Sequence, residues 1–78
     1  MALFFLDVVT ADNRFEDPDG GEHENLNLAQ AEARLAIREL VANDIREGRR
    51  IGLDRRIDIR DGDGNIVANI DFSDVVPL

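Results

Sequence analysis

The sequence has no cysteine, lysine, tryptophan or tyrosine, and only one histidine, one serine and one threonine. Without cysteine there can be no disulfide framework, no thiolate metal site and no cysteine nucleophile. Neither Ser73 nor Thr10 sits in a glycine-flanked elbow, so no nucleophile arrangement is recognisable and no enzyme activity is expected. The start of the chain, Met1 to Leu6, lacks a basic leader segment and meets Asp7 too soon for a signal peptide or a membrane span. Together these absences predict a cytoplasmic protein with no cofactor and no membrane partner.

What is present fits one small domain over residues 1–78. A chain of 78 residues buries only roughly 60–65% of its unfolded surface, so a second copy covering leftover apolar surface is expected. Nine cationic side chains, all arginine, stand against seventeen acids, for a net charge of −8. That balance repels phosphate backbones and anionic membranes and disfavours nucleic acid as a partner. The charge is uneven: residues 46–60 hold six arginines against three acids, while residues 1–45 hold three against ten.

Leu3 to Val9 is an apolar run interrupted only by Asp7 and predicts a central strand, with Phe4, Leu6 and Val8 on one face and Leu3, Phe5 and Val9 on the other. One helix cannot cover both faces. Asn13 to Asp17 predicts a short second strand, closed by the turn residues Asp17 to Gly21, with Glu22 to Leu26 as a polar connector or a brief extended piece. Residues 28–47 predict the helix, with Asn27 as N-cap, Gln30 completing a capping box and Gly48 as the stop. Its core face is Ala29, Ala33, Ala36, Ile37, Leu40 and Val41; Leu28, Ala31, Leu35 and Ala42 form a second, weaker stripe beside Arg38, Glu39 and Arg46. Residues 49–54 read as a loop. Arg55 to Arg60 alternates, with Ile57 and Ile59 inward and Arg56, Asp58 and Arg60 toward solvent. Asp61 to Asn65 is a hairpin turn leading to a fourth strand, Ile66 to Phe72, with Ile66, Ala68, Ile70 and Phe72 on one face. The expected architecture is α+β: a small ββαββ domain whose mainly antiparallel four-stranded sheet has one helix packed on one face.

Three constellations invite chemistry. Asp61, Asp63 and Asn65 have the alternate spacing of a calcium loop, but Ile66 stands where glycine is required and Phe72 where glutamate is, which leaves a hairpin turn. Glu22-His23-Glu24 would, as an extended segment, put the imidazole opposite its carboxylates, a poor ligand set. No metal site is therefore expected. The arginines at 46, 49, 50, 55, 56 and 60 suit phosphate or an acidic protein surface, but Glu47, Asp54 and Asp58 interleave and no tyrosine or tryptophan is there to stack bases.

Phe4-Phe5-Leu6-Asp7-Val8, Asp17 with Gly20 or Gly21, the helix positions Ala29, Ala33, Ala36, Arg38, Glu39 and Leu40, and Ile59-Arg60-Asp61, Gly64 and Phe72 carry a resemblance. On these residues the chain resembles a domain-of-unknown-function family of short uncharacterised proteins from rhizobia and other alphaproteobacteria. Members often carry tyrosine before a Phe-Phe-Asp motif, where this chain has Leu3 and an inserted Leu6. The resemblance implies a compact domain and brings no catalytic or binding residues with it.

The functional expectation is a noncatalytic protein–protein interaction module, self-associating as a homodimer or binding another protein. The candidate partner contacts are Leu3, Phe5, Leu28, Leu35, Arg49, Arg50, Arg55 and Arg56. The alternative is a small acidic regulatory or antitoxin-like protein acting in nucleic-acid biology, through a basic partner or through its arginine stretch. An enzyme or metal protein is the third reading.

Overall fold

The computed structural model describes residues 1–76. Its elements are β1 (Ala2–Val9), β2 (Arg14–Phe15), β3 (Gly21–His23), α1 (Leu26–Arg46), β4 (Arg56–Arg60), β5 (Ile66–Asp71) and the single turn α2 (Phe72–Val75). All strand pairs are antiparallel, in the order β2-β1-β4-β5, and β3 pairs with the first half of β1 on the same edge that β2 occupies further along. The sheet thus has five strands where four were expected. The extra one is Gly21–His23, which spans the end of the expected turn and the start of the stretch read as a connector or a brief extended piece.

The edge of β1 is shared because the chain between β2 and β3 folds inward at Asp17. The Asp17 carboxylate accepts the Leu6 amide (3.2 Å), which lies between the two stretches of strand pairing, and also the amides of Asp19 and Gly20. A side chain here does the work of a missing backbone partner. Gly20 completes the turn at φ 70°, where a Cβ would stand 2.9 Å from Phe5 Cε1 and 3.0 Å from the Phe4 carbonyl.

Helix α1 starts two residues earlier than the capping pattern predicts. Asn25, not Asn27, is the N-cap, accepting the Leu28 amide at 3.0 Å, and the earlier start lets Leu26 pack against the core. Gly48 stops the helix as expected, lying just beyond the C-cap Glu47 with φ 70° and with the Arg49 amide returning to the Asp44 carbonyl. Its buried line is Ala29, Ala33, Ile37 and Val41, with Ala36 and Leu40 partly buried. The alanines bring the helix close to Phe4, Ile57, Ile59 and Ile70 of the sheet. Leu6 and Val8 share this face, since they stand opposite Ile59 and Ile57.

Two expectations about the last hairpin change. A register shift between Ile59 and Arg60 places Ile66 opposite Arg60 and leaves it 54% exposed, not on the core face. Phe72 does not end β5 but opens α2, fully buried, so that its ring and Val75 close the end of the core.

Candidate functional site

The sheet face opposite α1 is covered by no helix, yet it is not a bare apolar surface. Register brings Phe5, Asp7 and Val9 of β1 opposite Arg60, Asp58 and Arg56 of β4, and Val9 opposite Arg14 of β2. Asp7 and Asp58, facing each other, are 0% and 2% exposed. Two carboxylates so placed repel, and burial strips their hydration, so they persist only because cations surround them. Arg60 grips Asp7 with two nitrogens, Nε at 2.5 Å and Nη2 at 3.0 Å. Arg14 bridges the pair, Nη2 to Asp7 (3.0 Å) and Nη1 to Asp58 (2.8 Å), and Arg56 Nε binds Asp58 at 2.9 Å. The Asp17 amide supplies one more donor to Asp7.

Burial pushes the Asp7 carboxyl up, but the Arg60 hydrogen bond, the Asp17 amide and Arg14 outweigh it and hold the group below the ordinary carboxylate range. For Asp58 the same burial is outweighed by Arg56 and Arg14. Both carboxylates remain ionised near neutrality with their lone pairs committed, which suits holding charge and not transferring protons. The arginines also cover the apolar residues between them. The Arg60 guanidinium lies 4.7 Å above the Phe5 ring, and Val9, flanked by Arg14 and Arg56, is buried. Of the three residues expected to face open solvent, Arg56 remains exposed, whereas the register with Asp7 and Arg14 buries Asp58 and partly covers Arg60.

A second ion-pair cluster ties the end of α1 to the loop before β4. Buried Asp44 accepts Arg55 Nη2 (2.6 Å) and Arg49 Nε (3.3 Å); the Arg55 hydrogen bond is the main cause of its lowered pKa. Arg55 also donates to the Gly52 carbonyl at 2.8 Å and lies 4.5 Å over the Phe72 ring.

The candidate contact residues therefore divide. Arg49, Arg55 and Arg56 are engaged in ion pairs within the chain, and Phe5 is half-buried under Arg60. Arg50 is exposed and takes part in no ion pair among the described residues. Leu3, at 38% exposure, is at the sheet end opposite Glu22. Leu28 and Leu35 stand on the outward side of α1 at 47% and 51%, and Ile45, which the sequence reading passed over, joins them at 62%. Spacing could have found it, since Ile45 continues the Leu28, Leu35 stripe.

A half-open cleft of about 250 Å³ lies between β1, the Asp17 turn and the start of α1, lined by Phe4, Leu6, Asp17, Gly20, Gly21, His23 and Glu32. His23 packs at 6.1 Å from the Phe4 ring, and both Asp17 oxygens are committed to backbone amides. Among the described residues, no group of three or more His, Cys, Asp or Glu side chains is placed to hold a metal ion. In the last hairpin the Asp61 Oδ1 accepts the amides of both Asp63 (2.9 Å) and Asn65 (3.0 Å), which shapes the turn. No helix among the described residues is long and apolar enough to cross a membrane.

No curated protein and no solved structure matches the chain. The family described as Domain of unknown function (DUF6894) matches residues 3–73, and the chain belongs to it.

Proposed function

We propose that this chain is a noncatalytic cytoplasmic module that works by protein–protein contact, first of all with a second copy of itself. The observation that carries the reading is the outward side of α1, where Leu28, Leu35 and Ile45 are each about half exposed or more. A helix whose two sides are both apolar has one side for its own core and one for a partner. The sheet's far face offers less, because its own arginines already cover Phe5 and Val9. The regulatory alternative, in which the arginine stretch meets nucleic acid, has less support, because Arg49, Arg55 and Arg56 already pair with acids of the chain and Arg50 alone of the candidate arginines takes part in no ion pair among the described residues.

Sedimentation or light scattering across micromolar concentrations tests the proposal. The expected result is a concentration-dependent dimer that Leu28→Glu with Leu35→Glu converts to monomer while the circular dichroism spectrum stays unchanged. A strict monomer in the unmodified chain would overturn self-association.

A further inference from the structure

The outward side of α1 has a finer pattern than an apolar stripe. Leu28, Ala31, Leu35, Arg38, Ala42 and Ile45 follow one another at gaps of three, four, three, four and three residues. That is the a/d spacing of a coiled-coil seam, and the sequence of gaps reads the same from either end. Five of the six positions are exposed and Ala42 is half-buried. The single charged member, Arg38, stands near the middle.

Resting on the self-association proposed above, we infer that two copies pair through α1 in antiparallel register, with Leu28 against the partner's Ile45, Ala31 against the partner's Ala42 and Arg38 against the partner's Leu35. Charge decides the direction. In a parallel pair each seam residue meets its own copy, so Arg38 would face the partner's Arg38. In the antiparallel pair the Arg38 stem lies over the partner's Leu35 and its guanidinium reaches the partner's Glu32 and the partner's Glu39. Those two acids flank Leu35 on the helix surface, three residues before and four after it.

The same groups lack partners inside the chain. Arg38, Glu32 and Glu39 are exposed and enter no ion pair among the described residues. Along its own helix Arg38 has Arg34 four residues before it and Ala42 four after, so no acid relieves it locally. Two symmetric arginine clamps and two alanine pairs, which permit close approach, fix one register. A single helix pair of this length sits near the roughly 1,000 Å² at which interfaces become weak or reversible, so a micromolar dimer is expected.

The absence of cysteine makes the register directly measurable. Ala31→Cys and Ala42→Cys chains are prepared separately, and oxidised alone and as a mixture. The antiparallel register brings position 31 to the partner's position 42, so the mixture forms a disulfide-linked pair. Each variant alone does not, because eleven residues of helix separate like positions by roughly 16 Å, beyond disulfide reach. Linkage within Ala31→Cys alone would show a parallel pair and overturn the register while leaving self-association standing. A dimer by light scattering that links in no combination would place the interface elsewhere and overturn the inference. A monomer would overturn both readings together. Independently, Arg38→Glu should weaken the dimer about tenfold, and Arg38→Glu combined with Glu32→Arg and Glu39→Arg should restore it; no change in affinity on Arg38→Glu would refute the clamp.

Discussion

Asp7 and Asp58 lie directly opposite each other on β1 and β4, both buried, at the centre of the sheet face that no helix covers. Arg14 bonds both at once, at 3.0 and 2.8 Å, and so turns a repulsive pair into the anchor of that face. Asp7→Asn removes the charge while keeping the shape, leaving Arg14 and Arg60 without their shared acceptor. Breaking a buried pair in this way costs about 3–5 kcal/mol. A chain of this size has a total stability on the order of 4–12 kcal/mol. The variant should therefore be partly or wholly unfolded at 37 °C. Asp58→Asn should cost less, because Asp58 accepts two side-chain hydrogen bonds and no backbone amide. Urea midpoints compare the two; equal and small losses would show that the arginines find water as good a partner.

Acid should unfold the protein through the same groups. Asp7, Asp44 and Asp58 all have folded pKa values below their ordinary 3.8. On acidification the unfolded chain takes up protons near its ordinary value, and the folded chain only at lower pH. Across that interval the unfolded state binds more protons, so stability falls as pH falls. The contribution is complete above about pH 5 and is lost progressively below about pH 4. Arg14 and Arg60, hydrogen-bonded to Asp58 and Asp7, are pushed further upward and stay charged throughout. Thermal melts from pH 3 to pH 8 should show a plateau and then a steep acid limb, shallower in Asp58→Asn; an acid limb unchanged in that variant would remove Asp58 from the account.

The alternation at Ile57 and Ile59, the hairpin at Asp61 to Asn65 and the core line of α1 were legible because each depends on neighbours close in sequence. The lattice on the far face was not, because Asp7 meets Arg60 across 53 residues and only the register of β1 with β4 brings them together. A lone acid inside an apolar strand reads as an interruption; its signal was the surplus of arginines on the strand that came to pair with it. The helix start lies two residues before the expected one for a local reason. Asn25 and Asn27 are equal caps by propensity, and the packing of Leu26 against the core chose between them. β3 was legible only as a brief extended piece of the connector, because three polar-flanked residues carry no alternation, and its pairing depends on Asp17 folding the chain back to β1. The outward stripe of α1 was visible in part, while its continuation to Ile45 emerged with the exposure of the helix.

Glycine substitutions should separate two residues with the same backbone angle. Gly20 and Gly48 both have φ 70°, but a Cβ on Gly48 meets nothing within 4 Å whereas one on Gly20 meets the Phe4 carbonyl at 3.0 Å. Gly48→Ala should cost about 1 kcal/mol, the left-handed backbone penalty alone. Gly20→Ala adds a clash with backbone that cannot move without breaking the Asp17 turn, and should cost at least about 2 kcal/mol. The two urea midpoints give the comparison directly. Equal losses would mean that the turn around Asp17 yields easily.

Arg55 and Arg50 test whether the arginine stretch is structural. Arg55 bonds Asp44 at 2.6 Å and the Gly52 carbonyl at 2.8 Å, and its guanidinium caps the Phe72 ring, so one side chain joins the end of α1, the following loop and the start of α2. Arg55→Ala removes all three contacts at once and should lower the Tm by about 5–10 °C, since each kcal/mol lost moves a domain of this size by about 4–8 °C. Arg55→Lys should recover only part of the loss, because an ammonium can neither bind in two directions through a planar fork nor stack on the ring. Arg50→Ala, an exposed side chain without an ion pair among the described residues, should leave the Tm unchanged within error. If Arg50→Ala instead weakened binding to a nucleic acid or an acidic protein while Arg55→Ala left the Tm untouched, the stretch would be a recognition surface, and its ion pairs would be incidental to the fold.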